Sequence, residues 1–404
     1  MLVTYLLFVA ASLIKEISAT AVFAHFMAQN SYSYSQADWA NDINSAANIG
    51  IDGFALNIAA NDYEVPKIDD AYAAAEAHGN FKLFYSFDLS YSWDYNVMAT
   101  IVAKHANSSA TYRWKNNVLV STFSGEAQGD AWWAAFKNAC KAKGVVQAFP
   151  SIDGFFNWWS WPDDTNTNLT TATDLAYQTA IKTRTGPYIM SVSPWQFKEL
   201  GGGNNWVELS DTLWKYRWEQ AINDVKPDIV EIVTWNDYGE SHYISDINPR
   251  VDLGTLAPNY VNGFDHSPWR IIAQYYISWY KNGVAPKLTN DQVIFWYRAH
   301  PKNAVCSGGD VPRNSAYPVD AVFAMALLAD SATISLDIGS KHAQWNASPG
   351  VSIGSVPFPP EDSQIPYIQI IKNGATAKSG YGSVYVTKSC SYYNFNPFVG
   401  HIST

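Results

Sequence analysis

Basic side chains are scarce in this sequence. Lys and Arg number 26 against 36 Asp and Glu, a net charge of −10. Such a chain lacks the basic footprint that nucleic-acid phosphates require, and no Lys/Arg run or zinc-finger spacing supplies one. Cysteine is nearly absent, with three residues in 404, which excludes a densely stapled disulfide scaffold. Cys306 and Cys390 both lie in the C-terminal part and could bridge there, whereas Cys140 sits on a helical pattern and reads as a buried thiol. No His/Cys/Asp cluster has metal-ligand spacing, so neither metal nor cofactor is expected. A phosphate-cradling glycine turn is missing too, because Gly201-Gly202-Gly203 follows no strand and has the wrong spacing. After the first few residues no apolar run is long enough to cross a bilayer, which gives no reason to expect a membrane partner.

Aromatic residues, by contrast, are abundant at 15 %, with 17 Trp. Large cores account for some of them. Trp158, Trp159 and Trp161 fall within four residues of each other, which suits either the lining of a cleft or a hydrophobic plug. The N-terminus carries the apolar stretch Leu2 to Ile14, then small residues up to Ala19. It is too short to span a membrane and fits a signal peptide over residues 1–19, although a positive start is lacking. A first helix of the mature fold is the other reading, but Val22 to Phe26 already resembles a first strand. Asn107-Ser108-Ser109, Asn168-Leu169-Thr170 and Asn346-Ala347-Ser348 are N-glycosylation sequons, which fit a secreted protein.

Short apolar runs alternate with amphipathic helices over residues 20–285. Strands are expected at Val22–Phe26, Ile51–Ile58, Phe81–Leu89, Val118–Phe123, Val145–Phe149, Tyr188–Val192 and Ile229–Val233, and Trp206–Leu209 is the candidate eighth. Helices are expected from the Ser35 cap with Asp38 behind it, from Pro66 to Gly79, around Trp132, Phe136 and Cys140, through Trp214 to Val225, and from Pro268 to Tyr280. Repeated βα units of this span predict a (β/α)₈ TIM-like barrel. An open doubly wound sheet would want the missing phosphate turn. From about residue 286 the texture changes to short alternating strands among Gly, Pro and Asn. This predicts a small antiparallel β-sandwich over 286–404. No Ser/Thr/Pro-rich linker separates it, so it should pack directly on the barrel.

Barrel enzymes keep their reactive groups where strands give way to βα loops. Acids just beyond the expected strands are Asp62, Asp88, Glu126, Asp153 and the pair Asp237 and Glu240. The last two follow Ile229–Val233 within Trp235-Asn236-Asp237-Tyr238-Gly239-Glu240-Ser241-His242-Tyr243. Hydrolysis of a glycosidic bond needs one carboxyl that stays protonated and one that stays ionised. Rings such as Trp235, Tyr238 and Tyr243 can supply the apolar contact that keeps a carboxyl neutral, and an apolar face also suits a sugar ring. Asp237 and Glu240 are therefore the candidate catalytic residues. Asp62, Asp88, His25, Glu126, Asp153, Trp158, Trp159, Trp195, Trp235, Asn236, Tyr238 and His242 are candidates for substrate binding. Histidines in such positions, His25 and His242 included, are more often structural.

Phe23-Ala24-His25-Phe26-Met27, Gly50-Ile51-Asp52-Gly53-Phe54-Ala55-Leu56-Asn57, Phe81 to Asp88, Val192-Ser193-Pro194-Trp195 and Thr234 to Ser241 together resemble the fungal α-1,3-glucanases, or mutanases, of glycoside hydrolase family 71. The resemblance implies internal cleavage of α-1,3-glucan, a wall polymer, with inversion at the anomeric carbon. It maps the catalytic acids onto Asp237 and Glu240. Glu240 is assigned here as general acid and Asp237 as general base, with Asp62 and Asp88 on sugar hydroxyls. A secreted, monomeric enzyme with α-1,3-glucan as its partner is the resulting expectation. A barrel that binds wall glucan without cleaving it, and a barrel glycosidase for another glucan, are the alternatives.

Overall fold

The computed structural model describes residues 20–145 and 153–404. The expected leader therefore lies outside the described residues, as does all but Val145 of the expected strand Val145–Phe149. Seven parallel strands form one sheet: β1 (Ala21–Met27), β2 (Gly53–Ile58), β3 (Lys82–Asp88), β4 (Val120–Phe123), β5 (Phe155–Asn157), β6 (Tyr188–Val192) and β7 (Ile229–Ile232). Their order is β4-β3-β2-β1-β7-β6-β5, so β1 pairs with both β2 and β7, and the sheet curls into a nearly closed barrel. Among the described residues β4 and β5, at the two ends of this order, do not pair.

Side chains alternate across this wall. Val22, Ala24, Phe26, Phe54, Leu56, Leu83, Met190, Val230 and Ile232 join the large core beneath the helices. Ala21, Phe23, Ala55, Phe84, Ile189 and Ile229 form a separate apolar cluster inside the barrel. Strands buried on both faces read as unbroken apolar runs, which is why β1, β2, β3, β6 and β7 are plain in the sequence. Gly53 meets a steric demand: a Cβ there would stand 1.9 Å from the Lys82 carbonyl oxygen, so only glycine lets β2 lie this close to β3.

The helices begin and end where local chemistry directs. α1 (Gln36–Asn48) has the Ser35–Asp38 capping box, in which the Ser35 amide donates to Asp38 Oδ2 at 2.7 Å. α2 (Glu64–His78) starts two residues before Pro66, which therefore sits in the first turn, where its missing N–H costs nothing. α3 (Tyr95–His105), α4 (Gly129–Ala142) and α5 (Ala172–Ile181) follow. α4 buries Trp133, Phe136 and Cys140. α6 (Leu213–Glu219) continues as a wider turn to Val225, and α7 (Trp269–Asn282) ends at Gly283.

One expected barrel strand is corrected. Trp206–Leu209 does not enter the parallel sheet; Asn205–Val207 instead pairs antiparallel with Phe197–Glu199 as a hairpin on the barrel rim. Gly201, Gly202 and Gly203 all take positive φ in its turn, which is what the glycine triplet provides.

Two four-stranded antiparallel sheets follow the barrel. The first is built from β8 (Gln292–Tyr297), β9 (Ala321–Leu328), β12 (Gly350–Pro357) and β15 (Phe398–Ser403), in the order β12-β9-β8-β15. The second orders β10 (Ala332–Ile338), β11 (Lys341–Ala347), β13 (Tyr367–Lys372) and β14 (Ala375–Tyr381) as β11-β10-β13-β14. β9 is buried along its whole length because it faces two cores. Ala321, Phe323, Met325 and Leu327 pack into the barrel's core, while Val322, Ala324, Ala326 and Leu328 pack against the second sheet. The antiparallel layers thus rest directly on the barrel. Cys306 and Cys390 are joined in a disulfide, their Cα atoms 4.4 Å apart.

Candidate active site

At the carboxyl ends of the strands the barrel interior turns polar. His25 and Glu231 lie buried above the apolar floor, with His25 Nδ1 2.7 Å from Glu231 Oε1. Above them opens a cavity of about 970 Å³ lined by His25, Asp88, Phe123, Trp158, Trp159, Trp161, Trp206, Asp237 and Glu240, among others.

β7 ends at Ile232, and the chain then makes a tight loop whose interior is held by its own side chains. Asp237 N donates to Thr234 Oγ1 at 2.9 Å, and Glu240 N donates to Asp237 Oδ1 at 3.1 Å. Asn236 bonds both ways with the Met27 backbone at the end of β1, which ties the loop to the barrel. Asp237 and Glu240 are half-buried in this loop, with side chains 18 % and 25 % exposed. His242 Nε2 lies 3.3 Å from Glu240 Oε2 and 4.0 Å from Asp237 Oδ2.

The two carboxyls occupy different electrostatic environments. Glu240 Oε1 accepts from Lys198 Nζ at 2.8 Å and Oε2 from Gln196 Nε2 at 3.0 Å. Burial alone would raise its pKa, but the His242 hydrogen bond and charge, with Lys198, outweigh that and hold it well below the usual carboxylate range. Asp237 receives no such pair of donors. Burial pushes its pKa up, and although His242 opposes this, the neighbouring Glu240 charge adds to it. One group is thus biased towards keeping a proton and the other towards giving it up.

Of the substrate-binding candidates, His25, Asp88, Glu126, Asp153, Trp158 and Trp159 line the cavity. Asp153 is ion-paired to Lys137 at 2.5 Å, and Glu126 stands exposed at the rim. Tyr238 lines a smaller depression on the other side of the loop, shared with Asp237 and Glu240. The remaining candidates lie elsewhere. Asp62 is exposed and off the cavity wall. Trp195 is buried with its Nε1 donating to the Phe395 carbonyl, and Trp235 and Asn236 are buried inside the loop. His242 touches the carboxylates from behind, stacked on Trp161.

Sequence reasoning missed the rim hairpin, which brings Gln196, Lys198, Trp206 and Glu208 to the cavity. The signal was present in Phe197-Lys198-Glu199-Leu200, the glycine triplet and Asn205-Trp206-Val207, a strand–turn–strand pattern. Three donor clusters among the described residues are tight enough for a metal: Asp237 with Glu240 and His242, Asp163 with Asp164 and Glu208, and His300 with Cys306 and Cys390. In the first, both Glu240 oxygens already accept hydrogen bonds, and in the third both sulfurs are bridged.

Comparison with known proteins places this architecture. A glucan endo-1,3-alpha-glucosidase of Schizosaccharomyces pombe is 34 % identical over 99 % of this chain and 99 % of its own length. A mutanase of Penicillium rubens is 32 % identical over 94 % of this chain and 88 % of its own. The ascus wall endo-1,3-alpha-glucanase of Schizosaccharomyces pombe is 31 % identical over 96 % of this chain and 98 % of its own. The model of glycosyl hydrolase family 71 matches residues 18–404, and the chain belongs to that family.

Proposed function

We propose that this chain is a secreted enzyme that hydrolyses α-1,3-glucan of fungal cell walls at internal linkages, with Asp237 and Glu240 as its catalytic pair. The observation that carries the reading is that pair: two carboxyls in opposed protonation environments at the wall of an aromatic-lined cavity. The names of the relatives support the substrate, and family membership supports the reaction class. Asp237 and Glu240 border both the large cavity and the smaller depression, so a polymer lying across both would meet the pair mid-chain. This supports internal cleavage. No described helix is long and apolar enough to cross a membrane. The disulfide and the exposure of all three sequon asparagines, Asn107, Asn168 and Asn346, support secretion.

The electrostatics favour the reverse of the expected division of roles. Asp237 keeps its proton and delivers it to the leaving oxygen; Glu240, ionised against Lys198 and His242, acts at the anomeric centre. Asp237, Glu240 and His242 each bring a polar atom within 4.8 Å of the other two. The family resemblance implies inversion, for which water must fit between the two carboxyls.

The test is to incubate the protein with insoluble α-1,3-glucan and with β-1,3-glucan, following reducing ends and product anomer by NMR. Soluble products from the α-glucan alone support the substrate, and β-anomers support inversion. α-Anomers make Glu240 a nucleophile. Binding without new reducing ends removes the hydrolase reading.

A further inference from the structure

The rim hairpin presents two faces. Phe197 and Val207 point into the core. Their neighbours Gln196, Lys198, Trp206 and Glu208 lie on the opposite face, and all four border the cavity. Gln196 and Glu208 stand directly across the hairpin, joined where Glu208 N donates to Gln196 O at 3.0 Å. The hairpin is also fastened to Glu240 through the Phe197 amide, which donates to the Glu240 carbonyl at 3.3 Å, and through the Gln196 and Lys198 side chains.

Three of these residues have evident tasks. Gln196 and Lys198 orient Glu240, and Trp206 lies 3.8 Å beneath the Lys198 ammonium. Glu208 has none inside the protein. It is only 5 % exposed, yet its Oε2 meets no hydrogen-bond partner. A buried carboxyl oxygen left unpaired costs free energy unless something else satisfies it. Glu208 itself lines the cavity that also holds Glu240.

We propose that Glu208 binds substrate: a hydroxyl of the sugar ring lodged beside Glu240 hydrogen-bonds to the Glu208 carboxyl. This rests on the glycoside hydrolase reading above and adds a contact to it. Burial, with the Asp163 and Asp164 charges adding to it and Arg313 opposing, raises the Glu208 pKa to about 7. In mildly acidic solution the group then carries a proton and can both give and accept, as a sugar hydroxyl does.

The test uses the full chain carrying Asp237→Asn, which keeps bound oligosaccharide intact, with tryptophan fluorescence reporting binding of a short α-1,3-linked gluco-oligosaccharide. Glu208→Ala should weaken binding about tenfold, while Glu208→Gln, which keeps a donor and an acceptor, should stay within about threefold of the parent. Should the alanine variant not fold, Glu208→Met gives the same loss at nearly the original length. Equal affinity for Glu208→Met and parent overturns the proposal. So does loss of parent binding on adding EDTA, since Asp163, Asp164 and Glu208 would then be holding a cation. Hydrolysis of α-1,3-glucan by the unmutated protein is measured in parallel. If that proceeds and the Glu208 variants bind normally, only the Glu208 contact fails. If the unmutated protein neither binds nor cleaves the glucan, the functional reading fails and takes this one with it.

Discussion

Two walls face each other across the cavity, and they are built in opposite ways. The wall that carries Asp237 and Glu240 is backed to full depth. Val233, Thr234, Trp235, Asn236, Ser241, His242 and Tyr243 are completely buried. Behind them Tyr260 donates its hydroxyl to the Gly239 carbonyl at 2.8 Å, and Asn396 bonds to the Tyr243 hydroxyl and the Tyr260 carbonyl. Tyr260 and the segment before the last strand thus buttress the loop that begins at residue 233. The opposite wall, β4 and β5 with the aromatic loop after it, is more exposed among the described residues. Every residue of β4 is only partly buried, and Trp159 is 47 % exposed. Charged groups whose pKa values must be held apart need fixed neighbours; a surface that receives a flexible polymer needs area and access. On the function proposed above, the acid pair and the Glu208 contact beside it sit on the fixed wall, and the exposed aromatic wall is the candidate surface for the rest of the polymer.

The sharpest way to test that division is to remove the acids themselves. Asp237→Asn and Glu240→Gln should each lower kcat on α-1,3-glucan about 10²–10⁴-fold, with thermal midpoint and glucan binding retained. Wild-type activity in both variants would move the chemistry off the backed wall altogether. Next in size is the buttress. Trp195→Ala removes a buried indole and its bond to the Phe395 carbonyl, and should cost about 3–5 kcal/mol of unfolding free energy by denaturant titration. A loss near zero would mean that the antiparallel layers do not support the loop.

Lys198→Met probes the electrostatic side of the same wall. Loss of one charge-assisted hydrogen bond to Glu240 should lower kcat/KM roughly 10–100-fold. The direction of its pH effect follows from the sign of the shift. Glu240 is held down, so it is ionised and active above its lowered pKa, and activity is lost as pH falls through that value. Without Lys198 the pKa rises, and the acidic limb of the kcat/KM profile moves to higher pH. The alkaline limb, set by the raised Asp237, should move less. An acidic limb that stays put would show that His242 alone holds Glu240 ionised.

The two walls also differ in how far they can be read from sequence. β1, β2, β3, β6 and β7 announce themselves because burial on both faces leaves unbroken apolar runs. Asp237 and Glu240 stand out as candidates because they follow such a run among aromatics. β5 escapes notice, being three residues long and continuous with a loop of tryptophans. The hairpin escapes because Trp206-Val207-Glu208-Leu209 alternates like any half-buried strand. Only its partner, Phe197–Glu199, reveals it as rim rather than barrel. Lys198 and Glu208 acquire meaning from that pairing, a contact across the chain that periodicity does not encode. Trp195 errs the other way: a tryptophan after a strand end looks like a sugar platform, but here it is a core residue gripping the C-terminal segment.

The smallest expected effect asks whether the exposed aromatic wall serves recognition at all. The Trp159 backbone is held independently of its ring. Its amide donates to Asn157 Oδ1 at 3.2 Å, and its carbonyl accepts from Arg217 Nη2 at 3.1 Å, within a buried network anchored by Asp174. Trp159→Ala therefore removes exposed aromatic area while leaving the support of the loop in place. A ring of this kind contributes about 0.5–1.5 kcal/mol beyond simple burial, so KM for α-1,3-gluco-oligosaccharides should rise roughly 2–13-fold with kcat unchanged. The thermal midpoint should hardly move, in contrast to Trp195→Ala. If Trp159→Ala instead unfolds as readily as the core variant, the ring is a structural plug. If KM is unchanged and the fold intact, substrate does not reach this wall. Either result would collapse the distinction, leaving recognition to the contacts beside Glu240, the proposed Glu208 contact among them.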